Sequence, residues 1–93
     1  MKINTQEQLL DLAGQPLEAA YVGNQLANTL IDPRIRHIDS IRALELARSL
    51  HNNNEVELTD ADVAMLQNVL EKANEFQSAL LNGQLRVIVN KLK

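Results

Sequence analysis

The sequence predicts an all-α fold, a small bundle of four to five short helices forming one helical domain over residues 1–93. Three observations carry this. Apolar residues recur at helical spacing in several segments. The only aromatics are Tyr21 and Phe76, so a core must be built from Leu, Ile, Val and Ala. Capping residues and helix breakers frame the apolar stretches. Apolar residues are 45% of the chain, enough to exclude wholesale disorder.

The first element is predicted near residues 5–12. Thr5, with Gln8 three positions on, resembles a capping box, and Leu9, Leu10, Leu12 and Ala13 follow before Gly14 and Pro16 stop the helix. The same segment also fits a short extended hairpin turning at Ala13-Gly14-Gln15-Pro16. Asn24 is placed to cap a second helix, 24–31, with Leu26, Ala27, Leu30 and Ile31 as its apolar positions. Asp32-Pro33 closes it, because a residue before proline is pushed out of the helical region.

A third helix is predicted over 38–50. Ala43, Leu46, Ala47 and Leu50 form its stripe, widened by Leu44, and Asp39, Arg42, Glu45 and Arg48 mark the wet side. The turn formers His51-Asn52-Asn53-Asn54 end it. The fourth, 60–73, is the best defined. Thr59 is an N-cap, Asp60 and Asp62 place negative charge in the first turn, and Val63, Leu66, Leu70 and Ala73 share one face. Asn74 to Ser78 is a soft spot where one kinked helix or two separate helices are both consistent with the sequence. The last helix, 77–92, carries a seam of Leu81, Leu85, Ile88 and Leu92, with Gly83 inside it. The expected core is Leu26, Leu30, Ile41, Leu44, Ala47, Leu50, Leu58, Val63, Leu66, Leu70, Leu81, Leu85 and Ile88.

Net charge is −3 and unevenly spread. Residues 52–75 sum to −5, residues 34–51 to +2 and residues 84–93 to +3. Such segregation suits docking of a charged partner or of a second copy. With no cysteine, disulfides and zinc-thiolate sites are excluded. No apolar run approaches the ~18 residues of a membrane span, and the opening MKINTQEQ has no hydrophobic signal core. The expected location is the cytoplasm.

Candidate chemistry is sparse. Asp60, Asp62 and Glu71 mimic part of a calcium loop, but Ala64 and Met65 stand where a ligand and a glycine are needed. His37 and His51 are fourteen residues apart, about 21 Å of rise on one helix. No serine sits in a nucleophile-elbow sequence, and Gly14, Gly23 and Gly83 make no phosphate loop. The expectation is therefore a protein that is not an enzyme, with no catalytic, cofactor or metal site. A helix-turn-helix reader is disfavoured, since His51 to Leu58 is longer than that motif's turn and the following helix is acidic. A small nucleic-acid-binding regulator using Arg34, Arg36, Arg42, Lys91 and Lys93 is the alternative.

The order of features resembles that of small proteins encoded by tailed bacteriophages and prophages. The matching segments are Leu12-Ala13-Gly14-Gln15-Pro16-Leu17, Gly23 to Leu30, Arg42 to Ala47, Val56 to Asp62 and Gly83-Gln84-Leu85. In those proteins the opening motif is more like an extended hairpin than a helix. The resemblance brings no catalytic residues. It implies a protein working inside an infected or lysogenic bacterium, in virion assembly or by binding a host protein. Self-association as a homodimer is expected through Leu81, Leu85, Ile88 and Leu92.

Overall fold

In the computed structural model, which describes residues 1–37 and 39–92, the chain is an α+β fold and not all-α. Its described elements, in order, are β1 (Lys2–Asn4), β2 (Gln8–Leu10), β3 (Pro16–Tyr21), α1 (Val22–Leu30), α2 (Ser40–Asn52), β4 (Glu55–Glu57), α3 (Asp60–Ala73) and α4 (Ala79–Asn90). The expected helical bundle is corrected by two small antiparallel sheets, β1 with β4 and β2 with β3. The predicted helix at 5–12 is absent, and the extended-hairpin alternative describes that region.

The reason lies in side-chain alternation. Ile3, Thr5 and Leu9 are buried, whereas Lys2, Asn4, Gln6 and Leu10 are exposed, a period of two that a helix cannot serve. Thr5 caps no helix. It is 1% exposed, its hydroxyl donates to the Asn53 carbonyl, and its backbone N–H donates to Asn54 at 3.0 Å. β1 lies beside β4 with Ile3 opposite Val56. Residues more than fifty apart in sequence thus build one ribbon.

The hairpin turns at residues 11–15. The Asp11 carboxylate accepts from the Ala13 and Gln15 N–H groups, each at 2.9 Å, and Gly14 takes φ +81°. Pairing runs from Leu10↔Pro16 to Gln8↔Tyr21, so β3 bulges against β2. Ala19 absorbs the bulge at φ 60°, in the left-handed region, and Ala20 is thereby turned into the core.

β3 runs directly into α1, whose N-cap is Tyr21 and not Asn24. Gly23 is required there. A Cβ on it would collide with Thr5 Cβ and with the Leu50 carbonyl oxygen. α2 is capped by Asp39, whose carboxylate accepts from Arg42 N–H at 3.1 Å; the predicted start at Ile38 lies outside the described residues. α3 keeps the bounds the sequence predicts, with a full capping box between Thr59 and Asp62. Asn74 to Ser78 separates α3 from α4, and the Ser78 hydroxyl caps α4.

One core gathers residues from both sheets and all four helices, among them Ile3, Leu9, Leu26, Leu50, Leu66 and Leu85. Four expected members are not among its buried residues: Leu81 and Ile88 pack against it only partly buried, while Ile41 is 73% exposed and Leu44 42%, because α2 turns Leu46, Ala47 and Leu50 inward instead. A polar chain crosses the core. The Asn82 amide donates to Leu70 O and to Gln77 Oε1, each at 2.9 Å, and Gln77 Nε2 donates to Thr29 Oγ1 at 2.7 Å.

Candidate functional site

The seam predicted on the last helix divides unequally. Leu85 is fully buried, and Leu81, Ile88 and Leu92 lie partly buried against the core. Val89 is also fully buried. What α4 leaves outward is the next strip around, Leu80, Gly83, Gln84 and Val87, at i, i+3, i+4 and i+7.

That strip forms one wall of an open groove of about 880 Å³ whose other wall is β2 and the hairpin tip. Leu10, Leu12 and Val87 line it at 42%, 96% and 54% exposure. Gln84 fixes the two walls together. Its Oε1 accepts from the Leu10 N–H at 2.8 Å, and its Nε2 donates to the Leu10 carbonyl at 2.7 Å and to the Leu80 carbonyl at 2.9 Å. The side-chain amide therefore stands where a further strand's peptide would pair with β2. Gly83 forms a low point, with no atom within 4 Å of where its Cβ would be. The sequence contained half of this site as the apolar content of the last helix. The other half was hidden, because residues 8–12 fit a helix pattern equally well.

The groove holds no catalytic array. Glu7 is its one ionisable lining residue. Among the described residues no group of three or more His, Cys, Asp and Glu is placed to hold a metal ion. His37 lies 2.7 Å from the Leu30 carbonyl, and His51 is exposed on α2 with no carboxylate partner among the described residues.

Of the described cations predicted as a nucleic-acid contact, Arg34 and Arg36 share one depression, which neither Arg42 nor Lys91 lines. Arg34 is bound by its Nε and Nη2 to the two Asp32 oxygens at 3.0 and 2.8 Å and lies 3.8 Å over the Phe76 ring. Its guanidinium holds the Asp32 carboxyl down at about 2. Arg42 is paired with Asp62, which is 3% exposed. Burial alone would raise the Asp62 pKa, but hydrogen bonds from the Thr59 backbone and Arg42 outweigh it and lower the pKa. Arg36 lies beside Arg34, Lys72, Glu75 and Phe76 in a separate depression. Lys91 follows α4 and lines none of these cavities; Lys93 lies outside the described residues.

A second apolar surface lies on α1 and α2. Ile31 and Leu44 line a shallow cleft with Ala27, Ala47, Arg48 and His51, and Ile41 stands one turn before Leu44. No described helix is long and apolar enough to cross a membrane. No protein-family model, curated protein or solved structure matches the chain.

Proposed function

We propose that this chain is a non-enzymatic interaction protein, a phage-encoded part acting in the bacterial cytoplasm in virion assembly or by binding a host protein. The observation that carries the interaction reading is the apolar groove between β2 and α4, braced by Gln84. Concave, mostly apolar surfaces of this size suit an amphipathic helix laid along them. Burying Leu12, which is 96% exposed, contributes ~1.5–3 kcal/mol when it leaves water fully, and the half-exposed Val87 about half of that. The phage setting rests on the sequence resemblance alone.

Affinity capture from infected cells, using the wild type and Val87→Asp, tests the reading. A phage or host protein enriched by the wild type and lost with the variant is expected. Enrichment that Val87→Asp leaves unchanged would contradict the groove as the working surface. A shift of duplex DNA at low salt that vanishes at moderate salt would instead favour the nucleic-acid regulator.

A further inference from the structure

We propose that the depression between the α1–α2 connection and the end of α3 is a binding site for a phosphate monoester, held by Arg34, Arg36 and Lys72. It lies apart from the groove and shares no lining residue with it.

The connection supplies the first half of the site. Ile35 is buried at 7% exposure and its N–H donates to the Asp32 carbonyl at 2.9 Å, while Arg34 and Arg36 on either side of it are exposed. The second half comes from Lys72 in the last turn of α3 and from Glu75 and Phe76 just beyond it. Lys72 Nζ donates to the Arg36 carbonyl at 3.1 Å and so ties the two halves. Together these side chains line a depression of about 510 Å³, a size that suits a small ligand.

Arg34 is already paired, yet it keeps the donors that an oxyanion needs. Asp32 takes Nε and one N–H of Nη2, at 3.0 and 2.8 Å. A guanidinium has five N–H donors, so Nη1 and the second N–H of Nη2 remain. They form the end-on fork that fits two oxygens of one phosphate. The guanidinium carbon lies 3.8 Å from the centre of the Phe76 ring. Held on one edge and one face, the group has little freedom left to lose on binding.

The charge for a ligand comes from Arg36 and Lys72, since Asp32 offsets Arg34. Neither has an ion-pair partner among the described residues. Glu75 offsets at most one of them, so positive charge is left over in a chain whose net charge is −3. Helix polarity does not account for the cluster. The last carbonyls of α3, Leu70 to Ala73, already accept from the N–H groups of residues 74–77 and call for no side-chain donor. A carboxylate would be satisfied by the Arg34 fork alone. A phosphate monoester carries close to two charges at pH 7 and three free oxygens, enough for the fork and both flexible cations.

The organic half of the ester is either a small molecule or a phosphorylated side chain. Two-dimensional ¹H–¹⁵N NMR of the full chain at low salt tests the site and separates the sources. The probes are phenyl phosphate, a short phosphoserine peptide and the same peptide without phosphate. Saturable shifts at Arg34 Nε–H and at the Lys72 and Phe76 amides are expected, with a dissociation constant of about 1 mM or below. Affinity should rise between about pH 5 and 7, as the second phosphate proton leaves. Arg36→Gln and Lys72→Gln should each weaken binding about fivefold or more, and Glu75→Gln should strengthen it about twofold. Glu75→Gln keeps the test decisive if either other variant loses its helical circular dichroism, because a gain in affinity cannot come from misfolding. Tighter binding of the peptide assigns the phosphate to a protein, and tighter binding of phenyl phosphate assigns it to a small molecule. The absence of saturable shifts overturns the inference. So do shifts spread over cations elsewhere on the chain, equal binding of the unphosphorylated peptide, or an affinity that the folded variants leave unchanged.

Discussion

The α3 helix and the N-terminal hairpin respond differently to the same rules. In α3 every determinant is local. Thr59 and Asp62 close a capping box three residues apart, and Val63, Leu66, Leu70 and Ala73 form a stripe within fourteen residues. In residues 1–21 the determinants are distant. β1 pairs with residues 55–57, Thr5 is held by Asn53, and Leu10 is held by Gln84, seventy-four positions away. Local signals are readable from one sequence, whereas long-range pairing is fixed only when the core closes. The groove is built from both kinds of structure, so only the α4 half of it was legible.

Particular residues show why the rest was not. Thr5 and Gln8 satisfy a capping-box spacing, and Leu9, Leu10 and Leu12 follow at positions that fit either period. The alternation of Ile3 and Thr5 with Lys2, Asn4 and Gln6 was the available sign of a strand, as was Val56 and Leu58 between Glu55, Glu57 and Thr59. Ile41 and Leu44 looked like core because they extend the α2 stripe. Both lie on the surface instead, because α2 packs through Ala43, Leu46, Ala47 and Leu50.

The largest expected effects break the comparison directly. Leu9→Ala in the short strand and Leu66→Ala in the long helix should each cost ~2–5 kcal/mol in urea unfolding, since both side chains are 1% exposed. Near-zero loss for Leu9→Ala would mean that the hairpin is no part of the core.

The two helical glycines sharpen it, because the same substitution should act with opposite sign. Gly23→Ala should destabilise by ~1–3 kcal/mol, the new methyl meeting Thr5 and the Leu50 carbonyl. Gly83→Ala should stabilise the isolated chain by ~0.5–1 kcal/mol, since its site is open. A stabilising Gly23→Ala would contradict the close packing of α1 on Thr5, and a destabilising Gly83→Ala would contradict the open site on α4.

A smaller effect should appear with acid. Asp62 has a lowered pKa in the folded chain. Its contribution is therefore present above the unfolded carboxyl pKa of ~3.9 and is lost as pH falls through the lower folded value. Thermal melts of Asp62→Asn should fall less steeply than wild type as pH drops below about 4. The variant should also be less stable at neutral pH by ~0.5–2 kcal/mol through the weakened cap and the lost Arg42 partner. Parallel curves for the two proteins would show that Asp62 is not the group responsible.

The central claim is that local and distant structure meet at Gln84, whose side-chain amide joins β2 to α4 and shapes the groove between them. Amide hydrogen exchange at Leu10 tests this most directly, because its N–H donates to Gln84 Oε1 at 2.8 Å. The Leu10 amide should be protected in the wild type and should exchange roughly tenfold faster or more in Gln84→Ala. Equal exchange in the two proteins would contradict the brace.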